Sequence, residues 1–291
     1  MRETTQNEYE KAVNRVIDYI NHHLFETPSI RKLSEVANIS GFHFHRIFKT
    51  IIGENIGEYM NRIRLEYIAE RLQMSNINLE DLAERTGYAT KHALSKAFKK
   101  HFGMSPSVFR KQDIDPFNFF GKDERKIIDV VPEVKQIKTK KIVYIRIIDW
   151  YGSPESYTRA WKKLGQFAHK NNLLNKDTEF IGLSFDNPTI TPPENCRFYA
   201  CFTVTEDIKP DGPFGVQKIE GGLYAVFTMK GSYNGFLDMY YNIYMRWLPG
   251  SDYKLRKGCG FEKYLNSPSH VKEKDLLTEI YVPIRKSPKK L

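Results

Sequence analysis

Residues 8–25, YEKAVNRVIDYINHHLFE, place Ala12/Val13, Val16/Ile17, Ile20 and Leu24 three and four positions apart, and predict an amphipathic helix ended by Thr27-Pro28. From Ser29 to Arg110 one pattern then occurs twice. In the first copy, Ser29 to Gly53, Ser29 is a helix cap ahead of the stripe Ile30, Leu33, Val36/Ala37. Asn38 occupies a tight turn that needs a positive φ, and Phe44, Ile47, Phe48 and Ile51 mark a second helix. In the second copy, Asn78 to Gly103, Leu82, Phe98 and Gly103 answer Leu33, Phe48 and Gly53. Gly87 takes the turn, and the second helix is striped by Ala93, Leu94, Ala97, Phe98 and Phe102. A helix from about 56 to 74 joins the copies, and Ser75 to Asn78 break it.

After about residue 126 the period changes from helical to alternating. KIVYIRII (Lys141 to Ile148) reads as a strand. Gly152-Ser153-Pro154 opens a helix through Tyr157, Trp161, Leu164 and Phe167/Ala168, and 180–185 and 197–204 follow as strands. The order recurs: strand 222–229, a helix through Phe236, Met239/Tyr240, Ile243 and Trp247, then strands 259–265 and 276–284. The expected fold class is α+β in two domains. An all-α tandem helix-turn-helix domain precedes a duplicated β-α-β-β domain, one antiparallel sheet with both helices on the same face. The composition changes over Gln112 to Gly121 (QDIDPFNFFG), and the boundaries are 1–112, a linker at 113–125, 126–286 and a basic tail at 287–291.

The helix faces left over in the first domain carry candidate chemistry. A short helix props a second one whose free face holds His43, His45, Arg46 and Lys49 in one copy, and Lys91, His92, Ser95, Lys96 and Lys99 in the other. Such a helix fits the major groove, where base edges display donors and acceptors. A lone basic helix face is usually just solvated, but two copies, each with its own break, argue against that here. Base contacts are expected from Phe42, His45 and Arg46, and from Lys91, His92, Ser95 and Lys96; Phe42 would meet a thymine methyl. Lys49, Lys99 and the hydroxyls of Ser40 and Thr90 are expected on phosphates. Matching positions differ, His45 against Ser95 and Arg46 against Lys96, so the two half-sites should differ and a monomer can bind; a weak dimer is the other possibility.

Here the chain resembles the AraC/XylS-type DNA-binding domain. The match rests on Phe98-Lys99, on Gly103-Met104-Ser105-Pro106-Ser107-x-Phe109-Arg110, and on the connecting Tyr59, Ile63-Arg64-Leu65, Ile68-Ala69 and Leu72. It covers about the first 112 residues, and implies two recognition helices in successive major grooves of double-stranded DNA, about 34 Å apart. The second domain resembles the GyrI-like effector-binding domain, by its duplicated order, by Tyr144 with Trp150-Tyr151-Gly152, and by Thr278-Glu279-Ile280-Tyr281-Val282-Pro283-Ile284. That resemblance implies a bacterial regulator of drug or stress response, and a cleft between the repeats for amphipathic, often cationic aromatic molecules.

Glu279 shares a strand face with Leu277 and Tyr281. It reads either as the carboxylate that meets such a cation, or as a strand glutamate exposed or paired with lysine; the resemblance favours the first. Trp150, Tyr151, Trp161, Tyr224, Trp247 and Tyr281 are candidate aromatic walls. Tyr224 and Tyr281 are preferred, since a tryptophan at helical spacing is usually packing.

Charge and composition add limits. The net charge is +10, but residues 1–121 hold 17 Lys/Arg against 15 Asp/Glu and residues 122–291 hold 28 against 20. The DNA reading therefore rests on helix faces, not on overall basicity. MRETTQNEYEK lacks the apolar core of a secretory signal, and no apolar run approaches membrane-spanning length. Cys196, Cys201 and Cys259 have no ligand spacing and read as free thiols in a reducing cytoplasm. His43 and His45 are too close for an i,i+4 metal pair, so neither metal nor cofactor is expected. No Gly-rich phosphate loop or nucleophile motif appears, and an enzyme is not expected. Some stand-alone GyrI-like proteins are hydrolases that use the cleft carboxylate, which keeps a hydrolase as the alternative. A protein-docking role, for instance towards RNA polymerase, is the third reading.

Overall fold

The computed structural model describes residues 3–112 and 126–287. The expected linker at 113–125 and the last four residues of the expected tail lie outside them. The chain forms two compact units, one of helices and one built on a sheet; the segments Asp186–Pro192 and Pro210–Gly215 group with the first.

In the helical unit, α1 spans Glu3–His22. It starts before the expected residue 8, where Gln6 donates to Glu10 (2.9 Å) one turn on. It also stops before the expected residue 25. α2 (Ile30–Ala37) is capped by Ser29 and ended by Asn38 at φ 56°, the turn its sequence predicts. α3 (Gly41–Ile52) ends on Gly53, and α4 (Ile56–Met74) opens with a reciprocal capping box between Asn55 and Glu58. α5 (Leu79–Arg85) is capped by Asn78, α6 (Lys91–Phe102) by Thr90, and α7 (Pro106–Lys111) by Ser105. Ser40 stands at the cap position of α3, but its side chain makes no such bond.

Each motif has its own core. Val16, Ile17, Leu33, Phe44, Phe48 and Tyr59 build the first, and Leu65, Leu82, Leu94, Phe98 and Phe109 the second. α4 feeds both, with Tyr59 and Ile63 at one end and Leu65, Ile68 and Leu72 at the other. It is the shared spine that fixes the motifs on each other. Its buried Arg62 is held between Glu54 and Glu66, so the charge is paired on both sides.

The second unit is a nine-stranded sheet. Its elements in chain order are β1 (Glu133–Ile137), β2 (Lys140–Ile148), α8 (Pro154–Lys170), β3 (Phe180–Ser184), β4 (Arg197–Val204), β5 (Phe214–Ile219), β6 (Gly222–Lys230), α9 (Phe236–Tyr241), β7 (Tyr253–Leu255), β8 (Phe261–Tyr264) and β9 (Leu277–Lys286). Strand order is β1-β6-β9-β8-β3-β4-β2-β5, with β7 beside β9. The repeats β2-α8-β3-β4 and β6-α9-β8-β9 thus meet at the central pair β3–β8 as the duplication predicts. β1, β5 and β7 are additions that the sequence did not announce. β1 precedes β2 but pairs with β6, and β5 precedes β6 but pairs with β2, so each repeat lends a strand to the other's outer edge. The second helix is not uniform: α9 widens into a π-helical turn, Asn242–Trp247.

Both helices lie on one face. Tyr157 of α8 stacks on Phe198 (4.6 Å), and α9 with its π-helical turn packs through Met239 and Ile243 on Ala225, Phe227, Ile280 and Val282. The reverse face carries Tyr144, Tyr199, Tyr224, Phe261 and Tyr281.

Candidate functional site

The helical unit presents two surfaces. On α3, Phe44, Ile47 and Phe48 are buried, and this turns Phe42, His43, His45, Arg46 and Lys49 outward; Phe42 is 80% exposed. On α6, Leu94 and Phe98 are buried and His92, Lys96 and Lys99 are exposed, with Ser95 half-buried. Ala93, expected on the apolar stripe, is exposed. Lys91 is exposed too, but its ammonium is paired with Glu80 of α5. Ser40 and Thr90 stand exposed at the two helix starts; the Thr90 hydroxyl accepts from Ala93 N–H (3.1 Å) and keeps its own proton to donate. An aromatic ring large enough to be an anchor, left almost fully exposed among cations, suits an apolar contact in a groove.

In the sheet unit the candidates are divided between the two faces. Glu279, Tyr281 and Tyr224 lie on the reverse face. Glu279 sits 3.8 Å from Lys135 and 3.7 Å from Lys263, and accepts from Tyr281 (2.8 Å). Lys263 also bonds Glu179 (2.9 Å). That is the lysine-paired glutamate the sequence left as its second reading. Tyr281 stacks on Phe261 (4.3 Å). Tyr224 is buried, donates to Glu220 O (3.0 Å), and has the Arg256 guanidinium 4.5 Å from its ring centre. Trp150 is 44% exposed in the loop after β2, and the Tyr151 hydroxyl donates to Arg197 O (3.1 Å). Trp247 is packed edge-on against Phe227 (5.0 Å). Only Trp161 points to a different place.

That place is the helix-covered side of the central strands, where Trp161 of α8 meets Tyr264 of β8. Glu262 of β8 is 3% exposed there. Alternation on β8 puts Phe261 and Lys263 on the reverse face, so Glu262 and Tyr264 face the helices. The Tyr240 hydroxyl of α9 donates to Glu262 Oε1; Oε2 has no hydrogen-bond partner. Burial pushes the Glu262 carboxyl up to about 7, and the Tyr240 bond only partly offsets it. Tyr264 stands edge-on to Trp161 (5.7 Å) and to Tyr233 (5.6 Å). Tyr240 stacks with Tyr244 (6.1 Å). Directly across from Glu262 on β3 is Gly182. A methyl group there would stand 2.7 Å from a ring carbon of Phe198, so the glycine is what lets the aromatic rings lie over the sheet.

A carboxyl beneath aromatic rings can hold a cation, since the rings offer their faces and the oxygen its charge. Sequence reasoning passed over Glu262, Tyr240, Tyr264 and Gly182. The available signal was an acid placed between Phe261 and Tyr264 on a strand read as central to the sheet.

Among the described residues no helix is long and apolar enough to cross a membrane. The GyrI-like small molecule binding domain family matches residues 131–285, and a helix-turn-helix domain family matches residues 33–112. The transcriptional regulator Rob of Salmonella typhimurium is 25% identical over 302 residues, covering 94% of this chain and 98% of that protein. The right origin-binding protein of Escherichia coli is 21% identical over 294 residues, with the same coverage of 94% and 98%. Among solved structures, the EcmrR C-terminal domain covers 55% of this chain and 99% of its own, at 22% identity and a TM-score of 0.47.

Proposed function

We propose, for a chain that belongs to the GyrI-like small-molecule-binding family and is an AraC-type DNA-binding transcriptional regulator, that its effector is a small aromatic cation seated against Glu262. One observation carries this reading: a fully buried carboxyl, among aromatic rings, with one oxygen left without a partner. Leaving such a group unsatisfied costs about 1–3 kcal/mol, so its retention asks for an occupant. The carboxylate Glu279 needs none, since two lysines and a tyrosine already serve it. Glu262 lies beneath packed aromatic rings, so the ligand enters by displacing them, with Tyr240 giving up its bond to Glu262. On this reading the ligand is bound and released unchanged.

The same proposal assigns DNA reading to the helical unit, within the division 1–112 and 126–286. Phe42, His45 and Arg46 on α3, and His92, Ser95 and Lys96 on α6, face base edges. Lys49, Lys99, Ser40 and Thr90 face phosphates. Lys91 is placed among the phosphate contacts rather than the base contacts, because its ammonium is shared with Glu80.

The test is a titration of the full chain with a cationic aromatic dye and its neutral counterpart, followed by tryptophan fluorescence, in the unaltered protein, Glu262→Gln and Glu279→Gln. Glu262→Gln is expected to weaken the cation about 100-fold and the neutral compound little, while Glu279→Gln changes neither by more than about 3-fold. Affinity for the cation should also fall between pH 8 and pH 6, because the carboxyl takes up its proton near 7. Equal affinity in the unaltered and Glu262→Gln proteins would overturn the assignment.

A further inference from the structure

Within the sheet unit, two buried side-chain polar atoms of the described residues have no hydrogen-bond partner: Glu262 Oε2 and Thr278 Oγ1. They belong to neighbouring strands. The β8–β9 register sets Glu262 opposite Ile280 and Tyr264 opposite Thr278, so Glu262 and Thr278 are diagonal neighbours. Both face the helices, because Ile280 and Val282 pack against α9 while Tyr281 packs on the reverse face. Diagonal neighbours stand roughly 7–8 Å apart between backbones and somewhat less between side chains, a gap that one small polar group spans.

Packing does not account for the hydroxyl. Thr278 is 1% exposed, and its cross-strand partner on β6 is Met229. Valine would supply the same β-branched shape at this position without burying a polar atom. Thr278 and Glu262 therefore repeat one feature, a buried oxygen on the helix side of the sheet without a donor.

We propose that the effector is an N–H-bearing cation, a protonated amine, amidine or guanidine and not a quaternary ammonium, whose N–H groups divide between Glu262 Oε2 and Thr278 Oγ1. The inference rests on the reading of Glu262 as the ligand carboxylate and adds what lies at the cationic end. A trimethylammonium group carries the same charge, but it turns methyl groups to both oxygens and leaves the hydroxyl unpaired. Sites built to hydrogen-bond a donor reject analogues that lack it, because their own buried groups then stay unsatisfied.

The experiment compares 2-naphthylmethylammonium with its N,N,N-trimethyl analogue by isothermal titration of the full chain at pH 8. The primary ammonium is expected to bind about 10-fold or more tightly. Thr278→Val should remove that preference by weakening the primary ammonium and leaving the trimethyl compound unchanged, and Thr278→Ser should restore it. Glu262→Gln should weaken both. A trimethyl compound that binds as tightly as the primary one overturns the proposal, as does a Thr278→Val variant that keeps the preference or weakens both ligands alike. If both ligands bind alike to the unaltered and Glu262→Gln proteins, or neither binds at all, the failure lies with the reading of Glu262 itself.

Discussion

On one face of the sheet, Glu279 lies between Lys135 and Lys263 with a tyrosine hydroxyl on its carboxylate; one strand away on the other face, Glu262 has a single tyrosine and no cation. The residues are of one type, on adjacent strands of one sheet, and both are largely withdrawn from water. What separates them is compensation. A buried charge with its partners in place is structural, while one without them is held in a state that a ligand improves. The contrast also explains why an aromatic neighbourhood is a poor marker by itself. Glu279 accepts from Tyr281, whose ring in turn stacks on Phe261 and meets Tyr224 edge-on, yet its charge is already paired.

The largest way to break this comparison is Glu262→Gln measured as stability against pH. A folded carboxyl raised to about 7 from 4.5 binds a proton that the unfolded chain has released, so its favourable contribution is complete below about pH 4.5 and is lost as pH rises through 7. Glu262→Gln should therefore unfold at a higher temperature than the unaltered protein at pH 8, by a margin on the order of 3 kcal/mol, and at nearly the same temperature at pH 4.5. A gap independent of pH would mean that the carboxyl is not strained by burial.

Next in size is Gly182→Ala. The added methyl meets the Phe198 ring and the Tyr264 hydroxyl. The cost is expected at about 1–3 kcal/mol in denaturant unfolding, the range for overpacking. A neutral result would show that the rings move aside easily, and that this side of the sheet is looser than its packing implies.

The smallest effect is expected from Glu279→Gln. Its partners are half-exposed lysines, and Lys263 keeps Glu179. Loss of about 1 kcal/mol or less, reduced further by 0.5 M salt, is the outcome for a screened pair. A loss as large as 3 kcal/mol would remove the distinction between the two glutamates.

The helical unit was legible almost residue by residue, and the reason is local. Ser29, Asn38, Gly87 and Gly103 each perform in the structure a capping or turning role that short-range chemistry dictates. The paired repeats of the sheet were legible from period and order. β1 (EVKQI) and β7 (YKL) were not, because short edge strands with few apolar residues carry no alternating signal. The π-helical turn was hidden for the opposite reason: Phe236, Tyr240, Ile243 and Trp247 fit an ordinary helix, and one wide turn barely shifts that pattern. Glu262 was not singled out because alternation says that a strand has two faces, and not which one the helices cover. Glu279 drew the choice by its place in a recognisable ending, whereas Glu262 is distinguished by burial with one oxygen left without a partner, which is a property of the assembled sheet.

The exchanged lead strands bear on how the chain reaches this state. Val134 meets Ala225, and the other repeat's lead strand lies beside β2. While the ribosome is still making the second repeat, the first has an early strand that must wait for a partner not yet synthesised. Neither half can close its own edge, so the duplication does not yield two independent folding steps. Pairings of such long sequence separation form slowly and leave edges bare meanwhile. The sheet is thus expected to fold as one late, cooperative event, with the local, short-range helical motifs already formed before it.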